Sequence, residues 1–326
     1  MKLVRNLTLG FALVATAAFA AVDPVLLNLV PPDAKIISGI SVDQSKASRF
    51  GQYVLAQMSI DDPGMKKFIV DTGFDPRRDL NEIVLATSGT ATATQVVVIG
   101  RGIFNPSKIL NAAIAGGAIV VPYGNGIQLL TQPGGASKSD NALAFVDAST
   151  AVMGSTPAVK AAIDQRSSGA RLDAITQAKV RDLATSNDAW FLSTVPVTDF
   201  FAGKLSDPNM NQAMGGNLFQ SVRSANGGLK FSTNGVTISG EALTRSDQDA
   251  TALADVIRFV AGLVAQNKDN PQAAQAASLL QSLQLTTQAA TLKLTLSVPE
   301  SVVEQMFMPK VNKKTAHAPK TTAQLR

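Results

Sequence analysis

The sequence predicts an α+β fold of two related split β-α-β-like units, mainly antiparallel sheets with helices on one face. Three observations predict it. Segments such as Leu292-Lys293-Leu294-Thr295-Leu296 alternate apolar and polar residues with the period of half-buried strands. Between such segments lie stretches with apolar residues three and four apart, several opened by a capping residue or a proline. The pattern Asp-Ala-x-x-x-Ser occurs twice, at residues 33–38 and 188–193, each time at the head of an apolar strand. Antiparallel sheets backed by helices accommodate both periodicities.

The first unit is expected over residues 31–172. Asp33 to Val42 reads as its first strand. Lys46 to Met58 follows as a helix with Phe50, Tyr53, Val54 and Met58 on one face, and Met65 to Val70 as a shorter helix. Gly73-Phe74-Asp75-Pro76 is a turn before strands over Glu82–Ser88 and Gln95–Arg101. Asn105 and Pro106 open a helix to Ala115, since proline at the first helical position gives up no needed amide. Strands are expected at Ala118–Pro122, Ile127–Thr131, Ala142–Asp147 and Ala151–Gly154, and Ser155-Thr156-Pro157 starts a helix to about Arg166.

Helical residues around Ile175–Ala184 connect to the second unit, expected over residues 173–309. Short helices are expected near Val197–Ala202 and Gly216–Ser221. Arg223–Phe231 and Val236–Leu243 form a strand pair around Asn234-Gly235, a strong hairpin signal. Ser246 caps a long helix whose Leu253, Val256, Ile257, Val260, Leu263 and Val264 make one apolar stripe. A helix over Pro271–Leu283, the strand at Leu292–Leu296 and a last helix opened by Ser297-Val298-Pro299 complete the unit.

The chain ends carry the address. Lys2 and Arg5 precede an apolar run from Leu7 to Ala20 that closes on Ala18-Phe19-Ala20. This is the pattern of a secretory signal peptide over residues 1–20, and the run is short for a membrane span. No later apolar stretch is long enough to span a bilayer, so a soluble mature chain in the periplasm or outside the cell is expected. Lys310, Lys313, Lys314, Lys320 and Arg326 follow the last acid, Glu304, so residues 310–326 form a basic tail expected to be disordered. The two ends carry +2 and +5, so the net +5 leaves the body between them slightly acidic at −2. A nucleic-acid binder would carry its basic surface on the fold. The tail offers a weak Coulomb contact with an anionic surface. The chain has no cysteine, which excludes disulfides, thiol nucleophiles and thiolate metal sites.

Pro31-Pro32-Asp33-Ala34, Gln44-Ser45-Lys46-Ala47-Ser48 and Gly73-Phe74-Asp75-Pro76-Arg77-Arg78-Asp79-Leu80 resemble exported bacterial proteins of no assigned function. The resemblance covers mainly residues 31–195. It implies an envelope or extracellular setting and no activity, and it assigns no site residue.

Catalytic, cofactor and metal residues are all expected to be none, for the following reasons. Gly100-Arg101-Gly102-Ile103-Phe104-Asn105 follows an apolar strand as a dinucleotide fingerprint does, but Asn105 replaces the third glycine and Pro106 removes an amide from the helix start. The single histidine, His317, lies in the tail, so histidine triads and histidine zinc sites are not available. Neither a Ser-x-x-Lys nor a Gly-x-Ser-x-Gly pattern occurs. Asp61, Asp62, Asp71, Asp75 and Asp79 cluster in sequence, but Arg77 and Arg78 stand among them, so ion pairing is expected, with Asp79 as a helix cap. Trp190 sits within a strand and is expected in the core rather than on a sugar-binding platform. These readings favour a non-enzymatic binding or scaffolding protein for an unknown protein or small molecule, with a groove between the units as the ligand position. A hydrolase with a carboxylate or Ser–Lys centre assembled from distant segments is the alternative.

Overall fold

The computed structural model describes residues 22–52, 62–90, 93–132, 140–196, 219–266, 277 and 279–302. A single helical turn, α1 (Pro24–Leu27), opens it, with the Asp23 carboxylate accepting from the Val25 amide. Leu26, Leu27, Leu29 and Val30 of this segment are buried and plug the core of the first half. Strand β1 (Ile36–Ser41) leads through α2 (Val42–Ala47), α3 (Pro63–Thr72) and α4 (Pro76–Asp79) to the long strands β2 (Leu80–Thr90) and β3 (Ala93–Gly102). After α5 (Pro106–Ala115) come β4 (Ile119–Tyr123), β5 (Ile127–Thr131), β6 (Asn141–Asp147) and β7 (Thr150–Ser155). Helices α6 (Thr156–Ser168) and α7 (Ala174–Ser186) lead into the second half. That half contains β8 (Ala189–Ser193), β9 (Val222–Ser232), β10 (Gly235–Thr244), α8 (Asp247–Gln266), β11 (Gln284–Gln288) and β12 (Thr291–Pro299).

All twelve strands belong to one sheet, in the order β11-β12-β10-β9-β8-β1-β2-β3-β7-β6-β5-β4. The two strands headed by Asp-Ala-x-x-x-Ser, β1 and β8, are neighbours at its centre. Ile37 and Leu192 hold the same place in the two copies of that pattern and pair with each other. A pseudo-twofold axis normal to the sheet therefore passes between them, and β1-β2-β3-β7 on one side corresponds to β8-β9-β10-β12 on the other. Following the pairing outward makes Ala86 the counterpart of Asn226 and Val97 the counterpart of Glu241.

The correspondence explains where the helices go. In the first half the face bearing Ile37 is apolar: Val84, Ala86, Val97 and Ile99 are buried there under α1, α6 and α7. In the second half the same face carries Asn226 and Glu241, which cannot be buried without partners. Its apolar residues, Ala225, Ala242 and Leu292, point to the opposite face, and α8 covers them with Leu253 and Ala254. The α+β class and the antiparallel sheet agree with the sequence expectation, and one finer point differs. Helices occupy both faces rather than one, because the two halves bury opposite faces. Every strand pairing among the described residues is antiparallel, and β3 and β4, joined through α5, run parallel with β7, β6 and β5 between them, as the strands of a split β-α-β unit do.

Local signals set several boundaries. Asn105 accepts from the Lys108 amide and α5 runs over the expected residues. Ser246 accepts from the Asp249 amide at the start of α8. The β9–β10 hairpin turns at Thr233-Asn234, next to Gly235 at φ 138°. The helix expected from Lys46 begins earlier, at Val42, because Ser41 accepts from the Gln44 amide, and Ser48 interrupts it in an extended conformation before residues 49–52 turn helical again, with the Ser48 hydroxyl accepting from the Gly51 amide. Residues 53–58 of that expectation lie outside the described residues, as do Val197–Ala202, residues 216–218, residues 271–276 and 278, the signal segment and the tail, while Phe219–Ser221 form a single 3-10 turn.

Glu82, near the start of β2, sits among partly buried groups, and desolvation pushes its carboxyl up to about 7. Its Oε2 accepts from the Asp23 amide at 3.3 Å, while its cross-strand neighbour Arg101 is engaged by the Asp23 carboxylate. A carboxyl with a folded-state value above its unfolded value binds its proton more tightly when folded, so stability falls as pH rises from about 4 to about 7. Glu82→Gln is expected to raise stability by about 1–2 kcal/mol at pH 8 and to change it little at pH 4. Chemical denaturation at both pH values checks this, and an equal effect at both would contradict it.

Candidate functional site

On the face bearing Ile36, between the sheet and α8, lies a cavity of about 570 Å³. This is within the size range of small-molecule sites. Its floor is two rows of residues running across the strands. One row is Ile36, Ser193, Ala225, Ala242 and Leu292; the other is Ser38, Phe191, Gly227, Gly240 and Leu294. Leu253 and Ile257 of α8 form the roof, and Val222 also lines the space. β1 belongs to the first half and the other walls to the second, so the cavity spans the junction of the two units.

The cavity exists because the middle of the floor is small. Ala225, Ala242, Gly227 and Gly240 project one methyl group or none, and the side chains of α8 do not reach down to replace the missing volume. A Cβ built on Gly240 would meet nothing nearer than the Asn226 carbonyl at 3.8 Å. Gly227 differs: a Cβ there would lie 2.4 Å from the Ser239 carbonyl and 3.2 Å from the Phe191 ring. Glycine is thus required at 227 by close packing, whereas at 240 it leaves open space.

The pseudo-symmetric positions in the first half are filled. Leu85 stands where Ala225 does, Val98 for Ala242, Thr87 for Gly227 and Val96 for Gly240. The second half has the same backbone pairing with the side chains cut back.

Polar groups at the cavity are few. The Ser193 hydroxyl donates to the Val195 carbonyl at 2.8 Å. The Ser38 hydroxyl makes no hydrogen bond among the described residues. Glu241 borders the space, but its carboxylate is held by Lys179 at 2.7 Å, Asn226 at 3.3 Å and Lys293 at 3.4 Å. The hydrogen bond from Lys179 is the main reason its carboxyl lies below the usual range. Phe191, at the end nearest the sheet centre, is 42% exposed and marks the open side.

The sequence-singled residues lie elsewhere. Gly100 and Gly102 end β3, and a Cβ on Gly102 would lie 2.4 Å from the Asp79 carbonyl, so that glycine serves backbone packing. Arg77 grips Asp75 through Nε at 3.2 Å and Nη2 at 3.0 Å, and Arg78 grips Asp79 through two nitrogens at 2.7 Å. These bonds hold both carboxyls below their usual range. The cap of α4 is Asp75 rather than Asp79, whose Oδ2 accepts from the Asp75 amide instead. Asp62 caps α3 and Asp71 pairs with Lys67. Trp190 is buried, with its ring over Gly39. Asp61 and His317 lie outside the described residues. Among the described residues no three His, Asp or Glu side chains converge to hold a metal, and no helix is long and apolar enough to cross a membrane.

The cavity residues were missed by motif reasoning, yet a signal was present. Ser224-Ala225-Asn226-Gly227-Gly228 and Ser239-Gly240-Glu241-Ala242 are strands built from residues that strands avoid. Glycine within a strand marks a close approach of backbone or ligand.

No protein-family model and no curated protein matches the sequence. The chain bears a weak structural resemblance to solved structures of TP0453. Its crystal form I gives a TM-score of 0.48 at 11% identity, covering 88% of this chain and 96% of that one. Crystal form III gives 0.46 at 10% identity, covering 88% and 97%.

Proposed function

We propose that the protein is an exported, non-enzymatic binding protein that takes an apolar small molecule into the cavity beneath α8. The observation that carries this reading is the cavity itself: a space of about 570 Å³ at the junction of the two units, walled almost wholly by aliphatic and aromatic side chains. A binding site pairs such walls with a few placed polar groups, and Ser38 is one. Four of the more buried acids are held in ion pairs, which counts against a hydrolytic carboxylate pair drawn from them. Asp75, Asp79, Asp188 and Glu241 each face a cation. Export rests on the signal pattern of residues 1–20.

Titration with N-phenyl-1-naphthylamine, a neutral apolar fluorophore, tests the reading. The mature chain is expected to bind it saturably at one site, and Ala242→Leu to bind it at least tenfold more weakly by filling the floor. Absence of saturable binding, or equal binding by the variant, would remove the cavity as the functional site.

A further inference from the structure

The shape of the cavity says more than its polarity, and the following rests on the reading just given. We infer that the ligand is an unbranched aliphatic chain lying across the strands, with its polar end at Ser38. The small floor residues form a trough rather than a bowl. It extends from Ser38 on β1 past β8, β9 and β10 to Leu294 on β12, four strand spacings or about 19 Å. Its width is set by two same-face residues on one strand, about 7 Å. A chain running along the rows meets Ala225 and Ala242 on one side and, beyond the Phe191 ring that lies against Gly227, the bare backbone of Gly240 on the other. Leu292 and Leu294 close the far end. A branched or fused-ring ligand of the same carbon count is wider than the trough and would have to displace Leu253 or Ile257 of the roof.

The two ends of the trough are chemically different. The far end is aliphatic. The near end carries Ser38, whose hydroxyl has no hydrogen-bond partner among the described residues, beside the exposed Phe191. No cation projects from the trough floor or from Leu253 and Ile257, and the bordering Glu241 already holds Lys179 and Lys293. The site therefore favours an uncharged polar end, such as a hydroxyl, over a carboxylate.

The first half acts as an internal control for the shape. With Leu85, Val98, Thr87 and Val96 at the matching positions, the trough there is occupied by the protein's own side chains. Gly240→Val copies one of these into the second half at a point where a Cβ meets nothing nearer than the Asn226 carbonyl at 3.8 Å, so it shortens the trough with little disturbance of the backbone.

Displacement of N-phenyl-1-naphthylamine by straight-chain primary alcohols tests the inference. Affinity is expected to rise about fourfold with each added methylene, the factor given by about 0.8 kcal/mol per buried CH₂, and then to level off when the trough is full. In Gly240→Val the levelling is expected at a shorter chain. Decan-1-ol is expected to displace the fluorophore at least fivefold better than its branched isomer tetrahydrogeraniol, and better than decanoate at neutral pH. Ser38→Ala is expected to weaken decan-1-ol two- to fivefold. Equal affinity of the branched isomer would overturn the chain assignment while leaving an apolar site in place. A preference for decanoate would overturn the polar-end assignment. Failure of the fluorophore itself to bind would instead overturn the underlying reading.

Discussion

Gly39→Val is expected to destabilise the protein by about 3–5 kcal/mol, lowering the thermal midpoint by roughly 5–10 °C. Gly39 pairs directly with Trp190 across the β1–β8 seam that joins the two halves. A Cβ on Gly39 would lie 2.5 Å from Cζ2 of the indole, inside any tolerable contact. Trp190 is only 5% exposed and packs within the large core of the first half, so it has no free space to enter. Either the seam opens or the indole leaves the core, and both lose more than an ordinary surface change. The cause can be separated from a general glycine effect. Trp190→Leu alone should be destabilising, but the double variant should lose clearly less than the sum of the two, because leucine vacates the space that valine needs. Chemical denaturation of the four proteins in the cycle measures this. Strict additivity would show that the contact does not constrain position 39.

The second large effect is on binding. Exchanging the trough floor for that of the first half, with Ala225→Leu, Gly240→Val and Ala242→Val together, is expected to weaken fluorophore binding by at least a hundredfold. Stability is expected to rise by about 1–2 kcal/mol, because the new side chains fill space that is otherwise empty and valine suits a strand better than glycine. The opposite signs matter. A variant that loses binding because it unfolds would lose stability too, so a rise in the denaturation midpoint with loss of binding isolates the cavity as the cause. Unchanged binding in a stable variant would place the fluorophore elsewhere.

Much of the fold was legible because its signals are local. Asn105-Pro106 starts α5, Ser246 starts α8, and Asn234-Gly235 marks the β9–β10 hairpin, each within a residue or two of its expected place. What failed was set by tertiary context. Strand β11 was not anticipated: Gln284-Leu285-Thr286-Thr287-Gln288 lies at the edge of the sheet with four of its five residues exposed, so no alternation appears in its sequence. Ser297, Val298 and Pro299, read as the start of the last helix, belong to β12, because pairing with β10 continues to Gly235, and the helix begins just after them at Glu300. The placement of helices on both faces depended on Asn226 and Glu241 replacing apolar residues on one face of the second half. That exchange becomes visible only when the strand register shows which residues are counterparts.

The candidate site was hidden for a related reason. A carboxylate pair or a metal cluster announces itself by residues that are present, whereas this cavity is made by side chains that are missing. Ala225, Gly240 and Ala242 carry no chemistry of their own. Their meaning comes from α8 above them, and from Leu85, Val96 and Val98 at the matching positions of the first half. The duplicated Asp-Ala-x-x-x-Ser pattern was the part of this that the sequence displayed. Its consequence, a seam with Ile37 against Leu192 and a cavity beside it, required the pairing of β1 with β8.

A crystal structure of the mature chain bound to a decanol carrying bromine on its far carbon would test the central claim most directly. The account places the anomalous bromine peak beneath α8 between Leu292, Leu294 and Leu253, with density leading back along Ala225 and Gly240 toward the Ser38 hydroxyl. A peak at any other surface, or an empty cavity at saturating ligand, would contradict it.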